Sequence, residues 1–280
     1  MRTPLFLSVF LIGAATVPLH DSAPYEPASD AIRVGAIPAA AASAPAPPPP
    51  QDDHGFRFVR VKYDDVGGNR RGRWGRRGGG HWETDYPRAE RHLHEAIERT
   101  TGLYVEGPPI VLELTDERIF EHPVLYLTEP GYWGTNEEEV EMLRTYLNRG
   151  GFLIIDDFHD YGRGYVGPQW NNMYDNIKRV FPDREPVELT ADHPIWAVYY
   201  DIDPDAAITT KNGGRAGGGG FGPLDDIYYG IFDDNGRMMV AICYNQDIGD
   251  GWEWPENNLA EMSTISFQMA INIILYALTH

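Results

Sequence analysis

Residues 135–158 read TNEEEVEMLRTYLNRGGFLIIDDF, and this stretch decides the fold. Thr135 and Asn136 are helix-capping residue types, and Glu137, Glu138 and Glu139 suit the positive end of a helix dipole. Val140, Leu143 and Leu147 recur at helical spacing and form one apolar stripe. Arg149 and Gly150-Gly151 close the helix. Phe152 to Ile155 is then continuously apolar, the pattern of a strand covered on both faces. An amphipathic helix feeding such a strand is the unit of a parallel sheet with helical crossovers.

The same alternation extends in both directions. Upstream, Phe56 to Tyr63 reads as a strand, and a Gly/Arg loop follows over 67–80. Asp85 and Pro87 stand where a helix cap and first-turn proline belong. Ala89, Leu93, Ala96, Ile97 and Thr100 share one helical face, and Gly102 ends that helix. Ile110 to Leu114 and Val124 to Thr128 are short apolar strands. Downstream come a helix around Trp170 to Phe181 and a strand at Val187 to Leu189. Tyr228 to Phe232 and Met238 to Tyr244 flank Asp233-Asp234-Asn235-Gly236, a hairpin signal. Ile265 to Leu278 is apolar nearly all round, which predicts a core helix; its length, with Gln268 and Asn272, argues against a membrane span.

Composition bounds the function. The chain has 280 residues, 42% of them hydrophobic, enough for a core. A net charge of −19 argues against specific nucleic-acid binding and against docking on anionic lipid. The single cysteine, Cys243, excludes an internal disulfide and a CxxC metal site. Arg2 and the apolar run Leu5 to Val17 predict a signal peptide over 1–23, with Ala23 as a cleavage position. Residues 24–54 form an Ala/Pro-rich linker ending in Pro47 to Pro50, an extended spacer. The expected protein is therefore exported, periplasmic or extracellular, with one α/β domain over 55–280.

Longer motifs resemble a known family. FRFVRVKYDD (56–65), WETDYPRAERHL (82–93), LELTDERIFEHPVLYLTEPGYW (112–133), RTYLNRGGFLIIDDF (144–158), RVFPDREPVELTADHPIW (179–196), GIFDDNGRMMVAICYNQDIGDGWEW (230–254) and INIILYALTH (271–280) resemble the bacterial domain of unknown function 4159 family. That family is similar in layout to the class I glutamine amidotransferase-like superfamily and its trehalose-utilisation-like branch. The resemblance implies a flavodoxin-like, doubly wound, mainly parallel sheet, here with a C-terminal β-hairpin and a buried C-terminal helix. Amidotransferases carry a cysteine on the elbow after the Gly-Gly strand, where this chain reads Ile155-Asp156-Asp157-Phe158-His159. Cys243 lies within an apolar strand, where a thiol is inert. No GxSxG elbow, P-loop or GxGxxG cradle replaces the cysteine.

Carboxylates and histidines remain. Sites in open parallel sheets form at the carboxyl ends of strands. Three strand ends carry suitable groups: Glu129; Asp156, Asp157 and His159; Asp192 and His193. If these strands are neighbours, the groups form one cluster. Glu129, Asp157, His159 and His193 are then candidate ligands for a divalent metal, or two of the groups form an acid–base pair. The alternative is local: Asp156, Asp157 and Asp192 cap turns, and His159 is a solvated loop residue. Trp133, Trp252 and Trp254 form a candidate aromatic rim that suits a carbohydrate, or they pack over the domain edge. Arg70, Arg71, Arg73, Arg76 and Arg77 make the 67–80 loop the one basic run, a contact for an anionic envelope polymer or a disordered loop. Two functions follow. One is a non-catalytic ligand-binding or assembly module on an amidotransferase-like scaffold lacking the Cys nucleophile, its partner a carbohydrate or an envelope protein. The other is a carboxylate- or metal-dependent hydrolase acting on glycans. A shallow, uncharged strand edge favours the first, and a bound metal with several ligands among Glu129, Asp157, His159 and His193 favours the second.

Overall fold

The computed structural model describes residues 55–66, 80–160, 167–207 and 227–280. The expected leader 1–23, linker 24–54 and nearly all of the Gly/Arg loop lie outside the described residues. The strands are β1 (Val59–Lys62), β2 (Asp64–Asp65), β3 (Ile110–Glu113), β4 (Val124–Thr128), β5 (Trp133–Gly134), β6 (Phe152–Asp156), β7 (Val187–Glu188), β8 (Ile227–Phe232) and β9 (Met238–Tyr244). The helices are α1 (Arg88–Thr101), α2 (Glu137–Asn148), α3 (Pro168–Val180), α4 (Ile248–Glu253) and α5 (Ala260–Thr279).

Seven strands form one sheet in the order β3-β1-β4-β6-β9-β8-β7, and β2 pairs with β5 apart from it. β3, β1, β4, β6 and β9 are mutually parallel. Counted along the chain, their order is second, first, third, fourth, fifth, the flavodoxin-like doubly wound order. β8 runs antiparallel to β9, and β7 antiparallel to β8.

Period-two alternation of the strand side chains feeds two cores. Phe58, Val124, Tyr126, Phe152, Ile154 and Cys243 pack with apolar residues of α1, α4 and α5. Val61, Leu125, Leu127, Leu153, Ile155 and Ile242 pack with those of α2 and α3 on the other face. Each fully buried aliphatic or aromatic side chain contributes about 1.5–3 kcal/mol.

The local signals operate as their chemistry dictates. Asn136 accepts from the Glu139 N–H while Glu139 accepts from the Asn136 N–H, a capping box whose loss costs about 1 kcal/mol. Gly102 ends α1 with φ 70, and Gly236 takes φ 83 in the hairpin turn. α5 is longer than the expected 265–278. It is long and apolar enough to cross a membrane, but just over half of its apolar window is buried in the domain. Its buried Asn272 is satisfied by the Ile195 and Tyr200 carbonyls and by the Tyr200 N–H.

Two local readings need correction. Asp85 does not cap α1: it adopts a left-handed conformation (φ 64), and Pro87 holds the cap position. The GDGWEW segment, expected to place Trp252 at the rim or over the domain edge, is largely α4, with Trp252 turned fully into the core.

Candidate carboxylate site at the strand edge

β1, β4, β6 and β9 all end at the same edge of the sheet, because the second strand of the C-terminal hairpin inserts beside β6 and parallel to it. Four non-glycine residues in the segments beyond these ends have left-handed backbone: Asp85 (φ 64), Glu129 (φ 50), Asp157 (φ 58) and Asn245 (φ 57). That conformation costs a residue with a side chain roughly 1 kcal/mol, less for Asp and Asn. Three of the four are acids.

Asp85, Asp157 and Asp247 each bring one carboxylate oxygen within 4.8 Å of the others, and Asp85, Asp250 and Glu253 do the same. Asp85 belongs to both triads. Asp85, Asp157 and Glu253 are almost wholly buried. Asp247 also caps α4, accepting from the Asp250 N–H at 2.8 Å. Asp157 accepts from the Thr128 hydroxyl at 3.4 Å, which joins the end of β4 to the end of β6. Glu129 sits beside this group, close enough for its charge to act on Asp157.

Burial and crowding push these carboxyls away from ionisation. Desolvation is the first cause for all of them. It raises Asp85 with help from Asp247 and Glu253, Asp157 with help from Glu129 and Asp85, and Asp247 with help from Asp157 and Asp250. Desolvation and then Asp65 raise Glu129 to about 7. Nearby cationic groups do not offset this. His159 Nδ1 stands 3.9 Å from Asp157, but burial lowers the imidazole to about 4, so it is neutral at pH 7. Arg60, whose charge reaches Asp85, is already paired with Glu90.

Asp156 has a different task. It is fully buried, and it accepts from the Tyr126 hydroxyl (2.7 Å) and the Ile248 and Gly249 N–H groups (3.3 and 3.1 Å). Those bonds fasten the start of α4, and hence Asp247 and Asp250, to the end of β6. Gly249 is pressed against this brace: a Cβ there would lie 2.8 Å from the Tyr126 hydroxyl and 3.0 Å from Asp85 Oδ2.

The sequence-predicted groups divide accordingly. Glu129, Asp156, Asp157 and His159 gather at the edge. Asp192 and His193 do not, because β9 and β8 separate β7 from β6. His193 packs on Phe232 and Tyr276 (5.8 and 5.3 Å between ring centroids). Tyr276 in turn contacts Phe152, the first residue of β6, so His193 lies toward the opposite edge. Its Nδ1 accepts from the Ile195 N–H. Asp192 is exposed and held by the Thr190 hydroxyl. The aromatic rim is corrected too. Trp133 and Trp252 are fully buried, and the Arg88 guanidinium covers Trp254 at 4.0 Å, so none of the three offers a bare platform to a sugar.

The sequence profile described as a domain of unknown function, DUF4159, matches residues 57–278. The chain belongs to this family. No curated protein matches the sequence. In this DUF4159 domain, Asp85, Asp247, Asp250 and Glu253 are the candidate-site residues that strand-end reasoning missed. Asp85 resembled a helix cap, and the acids after Tyr244 followed a strand read only as half of a hairpin. The signal was present all the same: Asp247 comes three residues after the apolar run MMVAICY, and Asp157 two residues after FLII.

Proposed function

We propose that the carboxyl edge of this DUF4159 domain binds a divalent cation, and that the domain is a hydrolase in which water, not a protein nucleophile, attacks the substrate. The convergence of Asp85, Asp157 and Asp247 carries the reading. Buried carboxylates that repel one another suit a hard cation with oxygen ligands, which replaces the repulsion with attraction. Acids that converge in buried positions, rather than a shallow uncharged edge, support this reading over a non-catalytic module. The strand order supports the likeness to the amidotransferase-like scaffold, and the turn where that superfamily carries cysteine here presents Asp157. With Trp133 and Trp252 inside the cores, the argument for glycans loses its support, and the substrate class is left open among hydrolysable esters, phosphoesters and glycosides. The leader-like segment and linker support an exported protein acting in the periplasm or outside the cell, where free Ca²⁺ and Mg²⁺ are accessible.

The test is a thermal melt of the protein and of Asp157→Asn, in EDTA and in Mg²⁺, Ca²⁺ or Mn²⁺, with a chromogenic ester, phosphoester and glycoside panel alongside. Asp157→Asn should melt higher than wild type in EDTA and lose the shift that cation induces. A wild type indifferent to every cation would sink the reading.

A further inference from the structure

Beside the carboxylates stands a histidine held by an acid. Asp65, on β2, pairs in register with Trp133 on β5. Its carboxylate takes two hydrogen bonds from one residue, His81: the backbone N–H reaches Oδ1 at 3.1 Å, and the imidazole Nδ1 reaches Oδ2 at 2.9 Å. The ring lies flat on Tyr132, with 3.5 Å between centroids and 5° between planes. Asp65 is nearly buried, with 7% of its side chain exposed, whereas the imidazole keeps 31%. The other ring nitrogen, Nε2, has no partner among the described residues.

A carboxylate on the Nδ1 proton fixes the tautomer, leaves the lone pair on Nε2 and stabilises the imidazolium that forms when Nε2 takes a proton. The stacked Tyr132 and the backbone bond fix the ring plane. Tyr132 closes the turn that Glu129 opens, donating its N–H to the Glu129 carbonyl at 3.0 Å, and Asp65 lies close enough for its charge to act on Glu129.

We propose that His81 is the proton-transfer group of the edge site and that Asp65 is its positioning residue. This rests on the cation-dependent hydrolase reading. A water molecule gives one proton to Nε2 as its oxygen bonds to the electrophilic carbon or phosphorus of the substrate. The bond to the leaving oxygen then breaks, and the imidazolium returns the proton to that oxygen.

The full chain with Mn²⁺ is assayed on p-nitrophenyl acetate, p-nitrophenyl phosphate and bis(p-nitrophenyl) phosphate, with Mn²⁺ binding followed separately by electron paramagnetic resonance. His81→Ala should bind Mn²⁺ as wild type does, lose about 10²- to 10⁴-fold in turnover, and recover part of it when imidazole is added. His81→Gln should lose as much without recovery, which controls for a loosened loop, and Asp65→Asn should lower turnover with Mn²⁺ binding intact. Unchanged turnover in both His81 variants, or Mn²⁺ bound by wild type without turnover of any probe, overturns the role of His81 and leaves the cation site standing. A wild type that binds no Mn²⁺ removes the cation reading, and the role of His81 with it.

Discussion

Glu129→Gln isolates the cost of charge at the strand edge. The folded Glu129 carboxyl titrates at about 7 instead of its ordinary 4.5, through burial first and Asp65 second. Below about pH 4.5 the group is protonated whether the chain is folded or not. Between there and about 7 the folded state keeps a proton that the unfolded chain has released, so rising pH erodes stability through that window. The gap corresponds to about 3 kcal/mol once pH passes 7. Glutamine is neutral throughout and escapes that loss. For a domain of this size, the wild-type melting temperature in EDTA should fall relative to the variant by on the order of 5–10 °C between pH 4.5 and pH 8. Asp85, Asp157 and Asp247 impose a fall of the same sign on both proteins, so the difference between the two pH profiles is the quantity to read. Adding Mn²⁺ at pH 8 should raise wild type more than the variant. Superimposable pH profiles for the two proteins would refute the claim that Glu129 is held against its charge.

Other substitutions probe the supports of the site. Arg60 is fully buried, paired with Glu90 and bonded to the Trp82 and Thr84 carbonyls just before Asp85. Arg60→Met should cost about 3–5 kcal/mol by stranding Glu90, and a second change, Glu90→Leu, should restore most of it in urea unfolding. Gly249→Ala should cost about 1–3 kcal/mol, because the new methyl meets Tyr126 and Asp85; weaker Mn²⁺ binding should accompany the loss, and an unchanged urea midpoint would contradict it. Cys243 is fully buried, and desolvation raises its thiol. It should resist a water-soluble thiol reagent in the native protein, and Cys243→Ala should cost on the order of 1 kcal/mol.

The sequence by itself determined what depends on near neighbours along the chain. The α2 capping box, the Gly102 and Gly236 turns, the alternation of strands and helices and the apolar character of α5 are all local chemistry. They make an α/β sheet with parallel crossovers legible from the letters, and they mark Glu129, Asp157 and His159 as groups at strand ends. What only the tertiary structure decided is which strand ends meet. A strand's apolar pattern says that it is buried but not which strand it pairs with, since that depends on how whole faces pack. β9 could have paired with β8 alone; instead it also lies against β6, and the segment after it brings Asp247 to Asp157 and Asp85, and Asp250 and Glu253 to Asp85. The same packing removed Asp192 and His193, because β7 lies on the far side of β8. It also turned Trp252 inward, where Phe58 and Tyr126 offered it a core that local sequence could not reveal.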